Sequence, residues 1–262
     1  MKTVIAIIGS PRRKGFTYLA TRRLLDNLAR FGEVQSEMLF LSDFALEQCK
    51  GCKICFERGE QFCPLKDDRD FLIRKMLDAD GVVLATPNYS FQVSGRMKSF
   101  LDRLGFVFHR PCFHGKVFTS IVAQGIFGGG NVVKYLGFVG RGLGFEVVKG
   151  TCVTALEPMS TKERAKMEKA LDALSKRFHK RLLQPGLAAP SLFQLMGFRM
   201  GRTSVRLTLT EDKRDYTYYR DHGWFDSDYF YPTKLNPLKK AAGAAFDWAA
   251  GRIFANRHDA CA

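Results

Sequence analysis

Residues 3–17 read Thr3-Val4-Ile5-Ala6-Ile7-Ile8-Gly9-Ser10-Pro11-Arg12-Arg13-Lys14-Gly15-Phe16-Thr17. Five consecutive apolar residues, four of them β-branched, describe a strand covered on both faces, as in a parallel sheet. The next residues turn, and helical spacing follows over 17–31, with Leu24, Leu25 and Leu28 on one side and Arg22, Arg23 and Arg30 on another. A turn that leaves a buried strand and enters a helix gathers free backbone N–H groups at the positive end of that helix. Ser10 and Thr17 add hydroxyl donors, Arg12 and Arg13 add charge, and Gly15 permits close backbone approach. The loop suits a terminal phosphate. It lacks the Gly-Lys-Ser/Thr ending of a P-loop and is not GxGxxG.

The same alternation continues outward. Strands are expected over 34–41, 81–86, 117–123 and 145–153, and helices over 67–77 (with Phe71, Leu72 and Met76 inward), 94–106, near 131–139 and from Ser160 to about 183. Glu163, three residues after Ser160, completes a capping-box pattern. Five β-α units imply a parallel sheet with right-handed crossovers and helices on both faces. Ligands of such sheets bind beyond the carboxyl ends of the strands, which directs attention to the loops after the first, third and fourth strands.

Residues 1–183 form the expected α/β domain, and 184–262 a C-terminal helical or irregular extension. That extension carries Pro185, Pro190, Pro232 and Pro237 and two tyrosine clusters. A final amphipathic helix over 237–256 would bear Leu238, Phe246, Trp248, Ile253 and Phe254. Apolar residues at helical spacing favour packing on the core or a neighbouring subunit over contact with a membrane surface.

The formal charge is +15. Residues 181–262 hold 12 Lys+Arg against 8 Asp+Glu, which leaves +11 on residues 1–180. A basic domain attracts phosphates. No helix-turn-helix, zinc-finger or aromatic nucleic-acid signature accompanies the charge, so no nucleic-acid partner is expected. No apolar run reaches the ~18 residues of a membrane span, and the N-terminal residues do not form a secretion signal.

Seven cysteines, at 49, 52, 55, 63, 112, 152 and 261, are an odd number without an export signal, so a reducing, cytoplasmic setting is expected. Cys49-x2-Cys52-x2-Cys55-x7-Cys63-Pro64 is a metal- or redox-site spacing, open to an iron–sulfur cluster, a zinc ion or uncommitted thiols. Cys112, Cys152 and Cys261 read as ordinary thiols. The histidines at 109, 114, 179, 222 and 258 show no metal spacing or triad.

Gly9-Ser10-Pro11-Arg12-x-x-Gly15-x-Thr17 is similar to the phosphate loop of NAD(P)H-dependent FMN reductases and iron–sulfur flavoproteins, although Phe16 stands where those families usually have Asn. Thr86-Pro87-x-Tyr89, followed by Ser94-x-x-x-Lys98-x-Phe100-x-Asp102-Arg103, resembles the next segment of the same reductases. The resemblance covers about residues 1–180. It implies a flavodoxin-like, doubly wound, five-stranded parallel sheet of order 2-1-3-4-5. It also implies FMN held at its phosphate by Ser10, Arg12, Arg13, Gly15, Phe16 and Thr17. The ring would be held by Pro87, Asn88, Tyr89, Ser90 and Phe91, and bordered by Gln124, Gly125, Phe127 and Gly128 of the Gly-rich fourth-strand loop. The implied activity is an NAD(P)H-dependent flavin oxidoreductase without a protein nucleophile, reducing a quinone, a flavin or another small molecule. The alternative is an iron–sulfur flavoprotein with a [4Fe–4S] cluster on Cys49, Cys52, Cys55 and Cys63, exchanging electrons with a ferredoxin-like partner. Closed symmetry makes a homodimer the expected assembly.

Overall fold

The computed structural model describes residues 1–154, 156–184 and 186–255; Pro185, Asn256, His258 and Cys261 lie outside the described residues. The chain divides into two compact units. The first comprises Met1–Lys50, Leu65–Gly105 and Cys112–Gly186, and the second Gly51–Pro64, Phe106–Pro111 and Leu187–Ala262.

In chain order the elements are β1 (Lys2–Ile8), α1 (Phe16–Arg30), β2 (Val34–Phe40), α2 (Ile54–Glu57), α3 (Arg69–Asp78), β3 (Gly81–Pro87), α4 (Gly95–Arg103) and α5 (Gly105–His109). They continue as β4 (Val117–Gln124), α6 (Gly129–Gly142), β5 (Glu146–Val147), β6 (Thr151–Thr154), α7 (Thr161–Leu182), α8 (Leu192–Thr208), α9 (Arg214–Asp221) and α10 (Pro237–Phe254).

The first unit is a parallel sheet of order β2-β1-β3-β4-β5, with β6 also on β4. The central strands are buried on both faces, as their unbroken apolar runs require. Leu24 and Leu28 of α1 and Leu171, Leu174 and Phe178 of α7 close one core with Val4, Ile8 and Val83. Each such side chain contributes about 1.5–3 kcal/mol by leaving water. Ser160 caps α7 through the expected reciprocal bonds with Glu163.

The expected fifth strand over 145–153 is two short strands. Val117 and Phe118 pair with Glu146 and Val147, whereas Ile121 pairs with Thr151. Three residues of the edge strand therefore span two of β4, which is a bulge. Gly150 belongs there because a Cβ would lie 2.3 Å from the Ser120 carbonyl oxygen. In α3, Leu72 and Met76 are buried, but Phe71 faces out against Phe44 and Lys75. The inward stripe is narrower than the spacing suggested.

The second unit is built on α8, α9 and α10. Its core holds Leu195, Phe198, Tyr219, Trp224, Phe225, Tyr229 and Leu235, so the tyrosine-rich stretch supplies an aromatic interior. Trp224 donates its indole N–H to the Phe230 carbonyl. Arg199 bridges Asp228 and Asp247, and Arg202 also reaches Asp247. No residue of the apolar stripe expected on the last helix is fully buried, Phe246 and Phe254 being half-buried. Leu238, Trp248 and Ile253 are exposed, and the buried residues of α10 are the small Gly243 and Ala250. A Cβ at Gly243 would lie 2.9 Å from the Arg199 guanidinium, so the helix approaches through its smallest residues.

Candidate functional site

The first and third loops are tied together below the site. The buried Ser94 hydroxyl donates to the Gly9 carbonyl at 2.8 Å and caps α4 by accepting from Met97 N–H. Ser94 N–H in turn donates to Thr86 Oγ1. Gly9 must be small, because a Cβ would come 2.8 Å from Ser94 Oγ and 2.9 Å from Met97 Cβ. Ser10, one residue on, and Thr17 are both buried at the base of the loop that leads into α1. Gly15 caps α1 with no side-chain bond, and the first turn holds no acid, so the helix presents uncapped N–H groups and an uncompensated positive end.

Above this base a cleft of about 440 Å³ opens at the carboxyl ends of the strands. It is lined by Ser10, Arg12, Gly15, Phe16 and Thr17 from the first loop, Pro87, Asn88 and Tyr89 from the third, and Gln124 and Gly125 from the fourth. Three separate loops thus meet around one space. Its volume falls within the ~300–1,000 Å³ of small-molecule and cofactor sites. Asn88 donates to the Phe127 carbonyl at 3.0 Å, while its Oδ1 is buried without a hydrogen-bond partner. Gly125 faces open space. Gln124 fixes the fourth loop by accepting from Gly129 N–H and donating to Thr154 and the Ile126 carbonyl.

The remaining expected residues lie outside the lining. Arg13 is held by Asp43 at 2.5 Å and stacks over Phe40, so its charge is directed along the loop's flank. Ser90 and Phe91 turn away in the left-handed region, at φ 49° and 62°, closed by the Tyr89–Gln92 bridge. Phe91 packs on Phe127 with ring centroids 5.3 Å apart. Gly128, at φ 92°, lies beneath Phe91, where a Cβ would approach Cδ1 to 2.5 Å. These four residues shape the lip. The sequence reading missed three lining residues, Lys14, Ala123 and Glu157. Lys14 belongs to the loop over residues 9–17, and Ala123 closes the fourth strand run, so position alone marked both. Glu157 reaches the cleft from the segment before Ser160, which no local pattern announces.

Among the described residues no group of three or more His, Cys, Asp or Glu side chains is placed to hold a metal ion. Cys49 belongs to the first unit, and Cys52, Cys55 and Cys63 to the second; Cys49 and Cys52 are exposed and Cys63 is buried. What does converge there is charge. Buried Arg110 donates to the Cys55 carbonyl at 3.0 Å, to Glu60 at 2.8 Å, and to buried Asp215. His109 Nδ1 lies 2.6 Å from the other Asp215 oxygen, and its ring stacks on Phe56. Cys152 is half-buried in the first unit, and burial pushes its thiol up to about 11.

A doubly wound parallel sheet of order 2-1-3-4-5, with a loop-lined cleft at its carboxyl edge, defines the flavodoxin-like class. The model of the NADPH-dependent FMN reductase family matches residues 2–156, and the chain belongs to that family. Among curated relatives, an iron–sulfur flavoprotein of Methanocaldococcus jannaschii is 42% identical over 100 residues, covering 38% of this chain and 50% of the relative. One from Archaeoglobus fulgidus is 34% identical over 156 residues, covering 56% of this chain and 70% of the relative. The chain thus spans half the length of the first of these relatives. Solved structures share the fold. An apo NADH:FMN oxidoreductase superposes with a TM-score of 0.51 at 19% identity, covering 68% of this chain and 90% of its own. RosB superposes at 0.55 and 14% identity, covering 90% of this chain and 92% of its own. No described helix is long and apolar enough to cross a membrane.

Proposed function

We propose that this chain binds FMN in the cleft and transfers reducing equivalents from NAD(P)H to a small acceptor such as a quinone or another flavin. The observation that carries this reading is the meeting of three loops around one cleft, with an uncapped helix terminus at one end and an unpartnered buried amide oxygen within it. The residues fit the group. Ser10, Thr17, the α1 N–H groups and the Arg12 and Lys14 side chains would hold a phosphate, and Asn88 Oδ1 would accept from a ring N–H. Gly125 leaves room for a planar ring.

When bound, FMN supplies hydride acceptance at its N5, and the protein contributes placement. Pro87, Asn88 and Tyr89 would fix the ring edge, and the open side of Gly125 would admit the nicotinamide at stacking distance. Arg12 and Lys14 favour anionic ligands over neutral ones.

Titration of purified protein with FMN, followed by anaerobic addition of NADPH, tests the reading. Arg12→Ala removes a charge-assisted hydrogen bond of about 1.5–3 kcal/mol, so FMN affinity falls about 10–100-fold. Arg13→Ala, already engaged with Asp43, changes it far less. A protein that takes up no FMN in excess, or a holoprotein that NADPH fails to bleach, overturns the proposal.

The names of the relatives favour a second reading, an iron–sulfur flavoprotein serving a ferredoxin-like partner. Among the described residues no group of three or more His, Cys, Asp or Glu side chains is placed to hold a metal ion. Iron and acid-labile sulfide assays on anaerobically purified protein decide between the two.

A further inference from the structure

The solvent face of α7 carries a charge pattern that the cleft does not explain. Ten positions of α7 are exposed, and seven of them are Lys or Arg. The other three are Thr161, Ala165 and Ala173, and none is acidic. Lys162, Lys166, Lys169, Lys176 and Lys180 follow the 4-3-7-4 spacing that places side chains on one line. The line runs about 27 Å along the helix.

None of these five lysines forms an ion pair among the described residues. On several other helices some cations are matched. Arg22 of α1 pairs with Asp26, Lys75 of α3 with Glu37, Lys98 of α4 with Asp102, and Arg206 of α8 with Asp226. Of the three acids on α7, Glu163 is engaged in capping Ser160, Asp172 accepts from Asn27, and Glu168 is half-buried. Like charges three and four residues apart destabilise a helix, and a merely soluble surface mixes both signs. The one-signed stripe therefore carries a cost that an anionic partner would relieve.

We infer that this stripe is a docking face for an acidic protein. A membrane surface fits it poorly, because no exposed position of α7 offers a large apolar side chain to insert. Single-stranded nucleic acid fits poorly as well, since no aromatic residue alternates with the lysines to stack on bases. Lysines, as hydrated point charges without bidentate geometry, suit a fast, exchangeable contact steered by charge. The helix begins four residues after Glu157 of the cleft lining. A protein docked along it has one end at the cleft mouth, where an electron carrier would need to be. That the partner is an electron carrier rests on the redox reading of the cleft; the docking itself does not.

The test is the association of the full-length holoprotein with a plant-type ferredoxin, used as a small acidic probe, in about 50 mM and about 500 mM salt. Measurable binding at low salt is expected, weakened at least about tenfold at high salt. The triple variant Lys169→Glu/Lys176→Glu/Lys180→Glu, far from the cleft-lining residues, is expected to lose at least about tenfold at low salt. Its circular dichroism and its NADPH-driven bleaching should be unchanged. Equal binding by the variant overturns the inference. So does tighter retention on phosphatidylserine vesicles or on a DNA oligonucleotide than on the ferredoxin. Absence of bleaching in both proteins sinks the redox reading alone and leaves the binding result standing.

Discussion

The coupling of the first and third loops through Gly9 and Ser94 can be measured with a double-mutant cycle. Ser94→Ala removes the α4 cap, worth about 1 kcal/mol. It also strips the buried Gly9 carbonyl of its donor at 2.8 Å, at about 1 kcal/mol or more. Gly9→Ala introduces a methyl 2.8 Å from Ser94 Oγ and 2.9 Å from Met97 Cβ, an overpacking of about 1–3 kcal/mol. In the double variant the Oγ half of that clash is gone, and the hydrogen bond that the clash would have broken is already absent. The double variant should therefore be less destabilised than the sum of the singles, by at least about 1 kcal/mol. Urea unfolding gives the four stabilities. FMN titration of each protein shows whether affinity falls with loop separation, as Ser10 and Pro87 lie directly beyond the coupled residues. Additivity within about 0.5 kcal/mol would refute the claim that these loops form one unit.

Two other outcomes follow from buried charge. Burial pushes the Asp67 carboxyl up, but hydrogen bonds from Arg103, Glu47 N–H and Arg69 N–H outweigh this and hold it below its ordinary range. The folded value thus lies below the unfolded value of about 3.9. The associated stability is present above that pH and lost as pH falls through the folded value. Asp67→Asn should cost about 3 kcal/mol at neutral pH and flatten the loss of melting temperature between about pH 5 and pH 2. In the second unit, Asp215→Ala leaves Arg110 buried with only Glu60 opposite, at a cost of about 3 kcal/mol. Trypsin should then cut sooner at Lys53 and Arg58, whereas Arg206→Ala, at an exposed pair, should leave that digestion unchanged.

The sheet was legible because its strands are buried on both faces, so that Val4–Ile8, Val82–Ala85 and Val117–Ala123 need no partner to declare themselves. The cleft was legible for a related reason, since parallel topology alone sends those loops to one edge. Features set by contacts across long sequence separations were not. The bulge at Gly150 depends on Ser120 of β4. Glu157 lines the cleft without any local pattern. The Cys49–Cys63 spacing left a cluster, a zinc site and uncommitted thiols open, and among the described residues no group of three or more His, Cys, Asp or Glu side chains is placed to hold a metal ion. Nothing local links His109 and Arg110 to an aspartate 105 residues downstream. In α10 the fully buried residues are Gly243 and Ala250, which no apolar pattern marks.

The composition of the second unit has a consequence for synthesis. Two of its three stretches, Gly51–Pro64 and Phe106–Pro111, leave the ribosome long before α8, α9 and α10. The sheet can assemble while translation continues, because its neighbouring strands are close in sequence. The cysteine-bearing stretch has to wait, with Arg110 paired only to Glu60 until Asp215 emerges. Nascent chains arrested before residue 215 should therefore expose this stretch to protease even after the sheet has become resistant.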